Sequence, residues 1–169
     1  YISALDRRDV VGLVGHEGRN VLRVATVVGR RLHASASATG RALLSRLSDT
    51  QIWGLYKSGM IQPTPRAPAD LDELLERVNA VRRLGYSEAI EETNHGVGAI
   101  ATVVVDPTKD LALSLCIAFP AATIYQHERE DIIARMIAET HKLSVEFGDR
   151  GKIVNSIQGF ERLSQGASL

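Results

Sequence analysis

A single cysteine in 169 residues excludes an internal disulfide, so this fold is held without one. That cysteine, Cys116, lies in an apolar run, which suits a reducing compartment and makes the cytoplasm the expected location. An excess of charge is also missing, since 20 Lys plus Arg balance 20 Asp plus Glu. A domain that grips a nucleic-acid backbone by itself usually carries a basic surplus, so no such grip is expected of this stretch. Long hydrophobic runs are absent too. The longest, 111–122, contains Ser114 and Pro120 and falls short of the roughly 20 residues that a membrane-spanning helix needs. No basic, apolar and small-residue order at the start marks a signal peptide, and no membrane contact is expected.

The chemical motifs are equally sparse. There is no Gly-rich phosphate loop, no HExxH and no Gly-x-Ser-x-Gly. Of the five histidines, only His127 has a ligand-type residue at loose metal spacing, Glu130, and the pair reads better as the solvated first turn of a helix. No metal and no cofactor are expected. Cys116 lacks the base and the electropositive setting that a nucleophile needs, and reads as a small buried thiol. Glu91, Glu92 and His95 form a polar cluster that reads as a solvated turn rather than an acid/base group. An enzyme is not expected.

What is present is a strand pattern in the middle of the chain. From 111 to 119 large and small residues alternate: Leu111, Leu113, Leu115, Ile117 and Phe119 on one side, Ala112, Ser114, Cys116 and Ala118 on the other. Period two means a strand. Its bulky face predicts a core contact, and its low face leaves room for a closely packed helix or a ligand. The run before it behaves alike, with Ala99 and Ala101 on one face and Ile100, Thr102 and Val104 on the other, and 106–110 supplies a polar turn.

Around this pair the chain divides readily. Residues 9–15 and 21–28 are β-branched runs across a turn at 16–20 and predict a hairpin. Ser37 predicts the cap of a helix carrying Leu43, Leu44 and Leu47, and Ser48 or Asp49 caps a second with Ile52, Trp53, Leu55 and Tyr56. Prolines 63, 65 and 68 predict an extended crossing segment. Asp70, with Glu73 in capping-box position, starts a helix whose stripe runs Leu71, Leu74, Leu75, Val78, Val81, Leu84 and which Gly85 closes. A last helix spans about 128–147, with Ile133, Met136, Ile137, Thr140 and Leu143 inward. The expected fold is α+β, a curved antiparallel sheet flanked by helices. One domain at 1–150 and a tail at 151–169 are expected, and the opening on Tyr1 suggests a fragment lacking a partner domain.

One place invites a ligand. Bare backbone N–H groups at 37–40, near the low face of Ala99, Cys116 and Ala118, would suit a carboxylate beside an apolar pocket.

Several blocks in order then resemble the effector-binding domain of IclR-type bacterial transcription regulators. They are 28–32 leading into ASATGRALL (36–44), VRRLGY (81–86), Glu91-Glu92 before Gly96-Val97, Ala99-Ile100-Ala101 with Asp106, and 113–120. Gly85, Glu92, Ala99, Ile100, Ala101, Val104 and Asp106 match the family's signature in register, while Ala89 and Val105 depart from it. The resemblance implies a GAF- and profilin-like sensor working as a homodimer or homotetramer. DNA binding would belong to an N-terminal winged helix-turn-helix domain not in this chain. It also implies a ligand held by backbone groups at Ala38, Thr39 and Gly40 and by side chains at Ala89, Ala99, Cys116 and Ala118, with Trp53, Tyr56 and Met60 added as a wall. Because those four side-chain positions are nearly apolar here, the expected effector is an aromatic or aliphatic organic acid rather than glyoxylate or pyruvate. A GAF-like sensor of another signalling protein is the alternative.

Overall fold

The computed structural model describes residues 1–19, 23–25 and 28–148, so the expected tail lies outside the described residues. Its elements run β1 (Ile2–Asp6), β2 (Asp9–Val14), β3 (Arg31–His33), α1 (Ala38–Leu44), α2 (Asp49–Tyr56), α3 (Leu71–Leu84), β4 (Ser87–Ile90), β5 (Val97–Asp106), β6 (Leu111–Pro120) and α4 (Gln126–Glu146). The strands form one curled antiparallel sheet in the order β3-β2-β1-β6-β5-β4. No helix among the described residues is long and apolar enough to cross a membrane.

Local signals place most elements. Asp70 caps α3 by accepting from the Glu73 backbone N–H at 2.9 Å, and Gly85 closes it in the left-handed region at φ 79°. The Glu73 carboxylate reaches one residue further back than a capping box requires, to the Ala69 N–H at 2.8 Å. Ser37 caps α1 and Ser48 caps α2. The central hairpin pairs Ala99 with Ala118 and Ala101 with Cys116, which sets the small residues of both strands side by side on one face.

Three expectations need correction. The N-terminal hairpin joins β2 to β1, and the described residues of 21–28 form no strand beside it. Half of 21–28 lies outside the described residues, and Val28 forms an isolated parallel bridge with Gly12. The pattern at 2–6 is too short and too mixed to stand out, and its pairing with β6 is a long-range fact. The bulky face of β6 is covered by α4 only in part. Phe119 packs with Ile100, Ile133, Met136 and Ile137, but Leu111 and Ile117 stay 40% exposed. On α4, Leu143 points outward and Ser144 inward, donating no apolar surface but accepting the Val105 N–H at 3.2 Å.

Glu88, on edge strand β4, supplies a test of the α4 face. Its carboxylate lies 3.3 Å from the Arg129 guanidinium, yet burial raises its pKa above the ordinary carboxylate value despite Arg129. A raised folded-state value means stability that is full below the unfolded value and lost as pH rises through the folded one. Glu88→Gln is therefore expected to melt higher than the parent at pH 7 and level with it near pH 4, as read by differential scanning calorimetry. A parent that gains on the variant as pH rises would contradict this.

Candidate functional site

The small-residue face of the sheet is closed mainly by a helix. Ala38 and Ala42 of α1 pack on Ala89, Ala101 and Cys116 without large side chains between them. On another side α1 lies close against the turn after β3 at Gly40, where an added Cβ would stand 2.2 Å from the Ala34 backbone. Glycine here serves packing and does not line the cavity.

Where α1 begins, the helix and sheet part and leave a cavity of about 220 Å³. Ala38, Ala89, Ala99 and Ala118 line it, so four of the sequence-derived site residues meet in one place. Tyr1, Val24, Ala25, Arg30, Leu32, Ser37, Thr93, Asn94 and Val97 complete the lining. Of these nine only Ser37, at the helix end 37–40, is marked as ligand-facing by the sequence; the others come from chain-distant segments that converge here. Thr39 and Cys116 sit just behind. Thr39 donates to the Tyr1 hydroxyl at 3.4 Å, and burial pushes both the Tyr1 phenol and the Cys116 thiol upward, so both keep their protons at neutral pH. Tyr1, Val24, Ala25 and Ala118 also line a wider neighbouring groove of about 600 Å³ that reaches His16, Thr123 and Glu128.

Trp53, Tyr56 and Met60 do not join the site. Trp53 is 54% exposed with the Lys57 ammonium 5.3 Å from its ring centre. Tyr56 and Met60 line a separate cleft with Arg8, Asp9 and His33. The physical reason is a core of Leu43, Leu44, Ile52, Leu74 and Val78, which directs the apolar side of α2 toward α3 and away from the alanine cavity.

The polar cluster at 91–95 also differs from expectation. Glu92 is no solvated turn residue; it is 7% exposed and forms a fork with Arg41, at 2.6 and 3.0 Å, on the buried side of α1. Arg41 spends its other donors on the Ser35 carbonyl at 3.1 Å and the Glu88 carbonyl at 2.6 Å, and Arg77 of α3 meets Glu92 at 2.8 Å. Burial lowers the pKa of the Arg41 guanidinium while Glu92 opposes the shift. From so high a starting value it stays charged. One signal for this pair is local: Arg41 is the single charged residue between Ala34 and Leu44. Its effect is to tie α1, β4 and the 91–97 loop together, which are three walls of the cavity. Among the described residues no cluster of His, Cys, Asp and Glu could hold a metal ion.

Comparison with known proteins places the architecture. A family model described as the C-terminal part of the bacterial transcriptional regulator IclR matches residues 1–145. The HTH-type transcriptional repressor AllR of Escherichia coli K12 is 29% identical over 114 residues, which are 66% of this chain and 42% of that protein. The matched stretch thus spans less than half the length of such curated relatives. A crystal structure of a double mutant of the PobR inducer-binding domain from Acinetobacter, in complex with 3-hydroxybenzoic acid, is 30% identical. It matches with a TM-score of 0.71, covering 85% of both chains. The C-terminal domain of the Escherichia coli regulator KdgR, at 24% identity and a TM-score of 0.71 over 87% of this chain and 85% of that one, agrees in fold.

Proposed function

This chain belongs to the IclR family of bacterial transcription regulators, as its C-terminal effector-binding domain, and from that premise we propose that the alanine-walled cavity takes a compact organic acid of low polarity and so alters operator binding. Regulators, not enzymes, make up this family. Membership also sets aside a sensor domain from an unrelated signalling protein. The observation that carries the reading is the cavity itself: about 220 Å³ between α1 and the sheet, walled by Ala38, Ala89, Ala99 and Ala118. Its volume lies below the roughly 300–1,000 Å³ typical of sites for drug-sized ligands, so the guest is small.

Polarity follows from the walls. A small oxo-acid such as glyoxylate is polar over its whole surface, and the alanine side of this cavity offers it no side-chain partner, at about 1–3 kcal/mol for each group left unpaired. A single-ring aromatic acid has an apolar body to place against the alanines, and the PobR domain, in complex with 3-hydroxybenzoic acid, is a relative of that kind. Operator DNA would be held by a winged helix-turn-helix domain N-terminal to this one in a dimer or tetramer. The effector acts there only by binding one arrangement of the assembly more tightly than another.

Calorimetric titration with aromatic and short aliphatic acids, with glyoxylate and pyruvate alongside, tests the reading. Binding of a compact apolar acid is expected, together with its loss in Ala118→Leu, which fills the cavity. Tight binding of glyoxylate or pyruvate would refute the proposed chemistry.

A further inference from the structure

Among the described residues the cavity lining has one charged side chain and no carboxylate. That charge is the guanidinium of Arg30, in the segment leading into β3. Other arginines near the sheet edge are spoken for: Arg31 bonds Asp6 at 2.7 Å and Asp9 at 3.3 Å, and Arg41 is consumed by Glu92. Arg30 has no hydrogen-bond or ion-pair partner for its guanidinium among the described residues. It is exposed, so it stands at the mouth of the cavity rather than in its depth. Ser37, the N-cap of α1, accepts the Gly40 N–H at 3.0 Å and keeps its own O–H to donate.

We propose that Arg30 is the residue that selects the charge of the effector: the ligand is a monocarboxylate that inserts its apolar body among the alanines and leaves its carboxylate at the mouth, on the Arg30 fork. This inference rests on the cavity reading above and sharpens it. A planar guanidinium matches a carboxylate with two parallel hydrogen bonds, which gives orientation as well as attraction. A cation without a partner beside a hollow that has no acid among its described lining residues favours an anion over a neutral or cationic guest of the same shape. Placing the carboxylate outward also removes the need for polar side chains at Ala89, Ala99 and Ala118, which the chain does not have.

The test compares benzoate with benzamide, two probes of nearly equal shape that differ in charge, by calorimetric titration of the chain. The parent is expected to bind benzoate about tenfold more tightly than benzamide, a preference that shrinks as salt screens the exposed pair. Arg30→Gln should bring benzoate down to the benzamide level and leave benzamide unchanged, which also shows that the variant is folded. Arg30→Lys should keep part of the preference, because charge survives and the fork does not. Benzoate binding that is unaltered in Arg30→Gln but lost in Ala118→Leu would overturn the role of Arg30 and leave the cavity reading standing. A parent that binds neither probe would overturn both.

Discussion

Arg41→Leu is expected to cost about 3–5 kcal/mol of folding stability, because it leaves an acid in the interior without its main partner. Glu92 would keep only Arg77, whose side chain is 30% exposed and lies on one side of the carboxylate. The carbonyls of Ser35 and Glu88 would lose their donor as well. Removing both charges separates these effects. In Arg41→Leu with Glu92→Leu the buried carboxylate is gone, so part of the loss should return. The two carbonyls still lack a donor at about 1–3 kcal/mol each, so recovery stays incomplete. Urea unfolding of the two single variants and the double closes the cycle. A near-neutral Arg41→Leu would mean that the fork contributes nothing net. Ligand affinity should fall with it, since the fork joins the helix, strand and loop that frame the cavity.

The sequence tells most where structure follows from neighbours along the chain. The stripe, cap and terminal glycine of α3 are local signals, and all three act as expected. The alternation in β5 and β6 is local too, and spacing alone singles out Ala99 and Ala118, which do line the cavity. What stays hidden depends on distance. Whether the small face of β6 meets a helix or a guest cannot follow from period two; here α1 covers Ala101 and Cys116, and only the end near Ala99 and Ala118 stays open. Glu92 reads as surface because Arg41 is 51 residues away in sequence. Tyr56 reads as a pocket wall because aromatic residues suit pockets, but α2 spends Tyr56 on a cleft beside Arg8.

Gly40→Ala is expected to destabilise the domain by about 2 kcal/mol or more, although alanine is the better helix former by up to about 1 kcal/mol. The added Cβ would lie 2.2 Å from the Ala34 Cα, 2.2 Å from its carbonyl oxygen and 2.5 Å from its carbonyl carbon, all backbone atoms that no rotamer change can clear. Ala34 cannot readily withdraw, because its N–H is held by the Arg8 carbonyl at 2.9 Å and the next turn is fixed by Ala36 N–H to the His33 carbonyl at 3.2 Å. Relief must come from α1 shifting away from the Ala34 turn, which moves Ala38 relative to Ala99 and Ala118 and loosens the cavity along with the core. A melting temperature lower by about 4–8 °C is expected for a domain of this size, with weaker effector binding. Gly54→Ala is the matched control. Gly54 is exposed on α2, and a methyl group added there would meet nothing within 4 Å, so helix propensity acts unopposed and the melting temperature should rise. Opposite signs for one chemical change at two helical glycines would identify close packing as the reason for Gly40. Equal signs would mean that the Ala34 turn yields, and that the fit between α1 and the sheet is not what shapes the cavity.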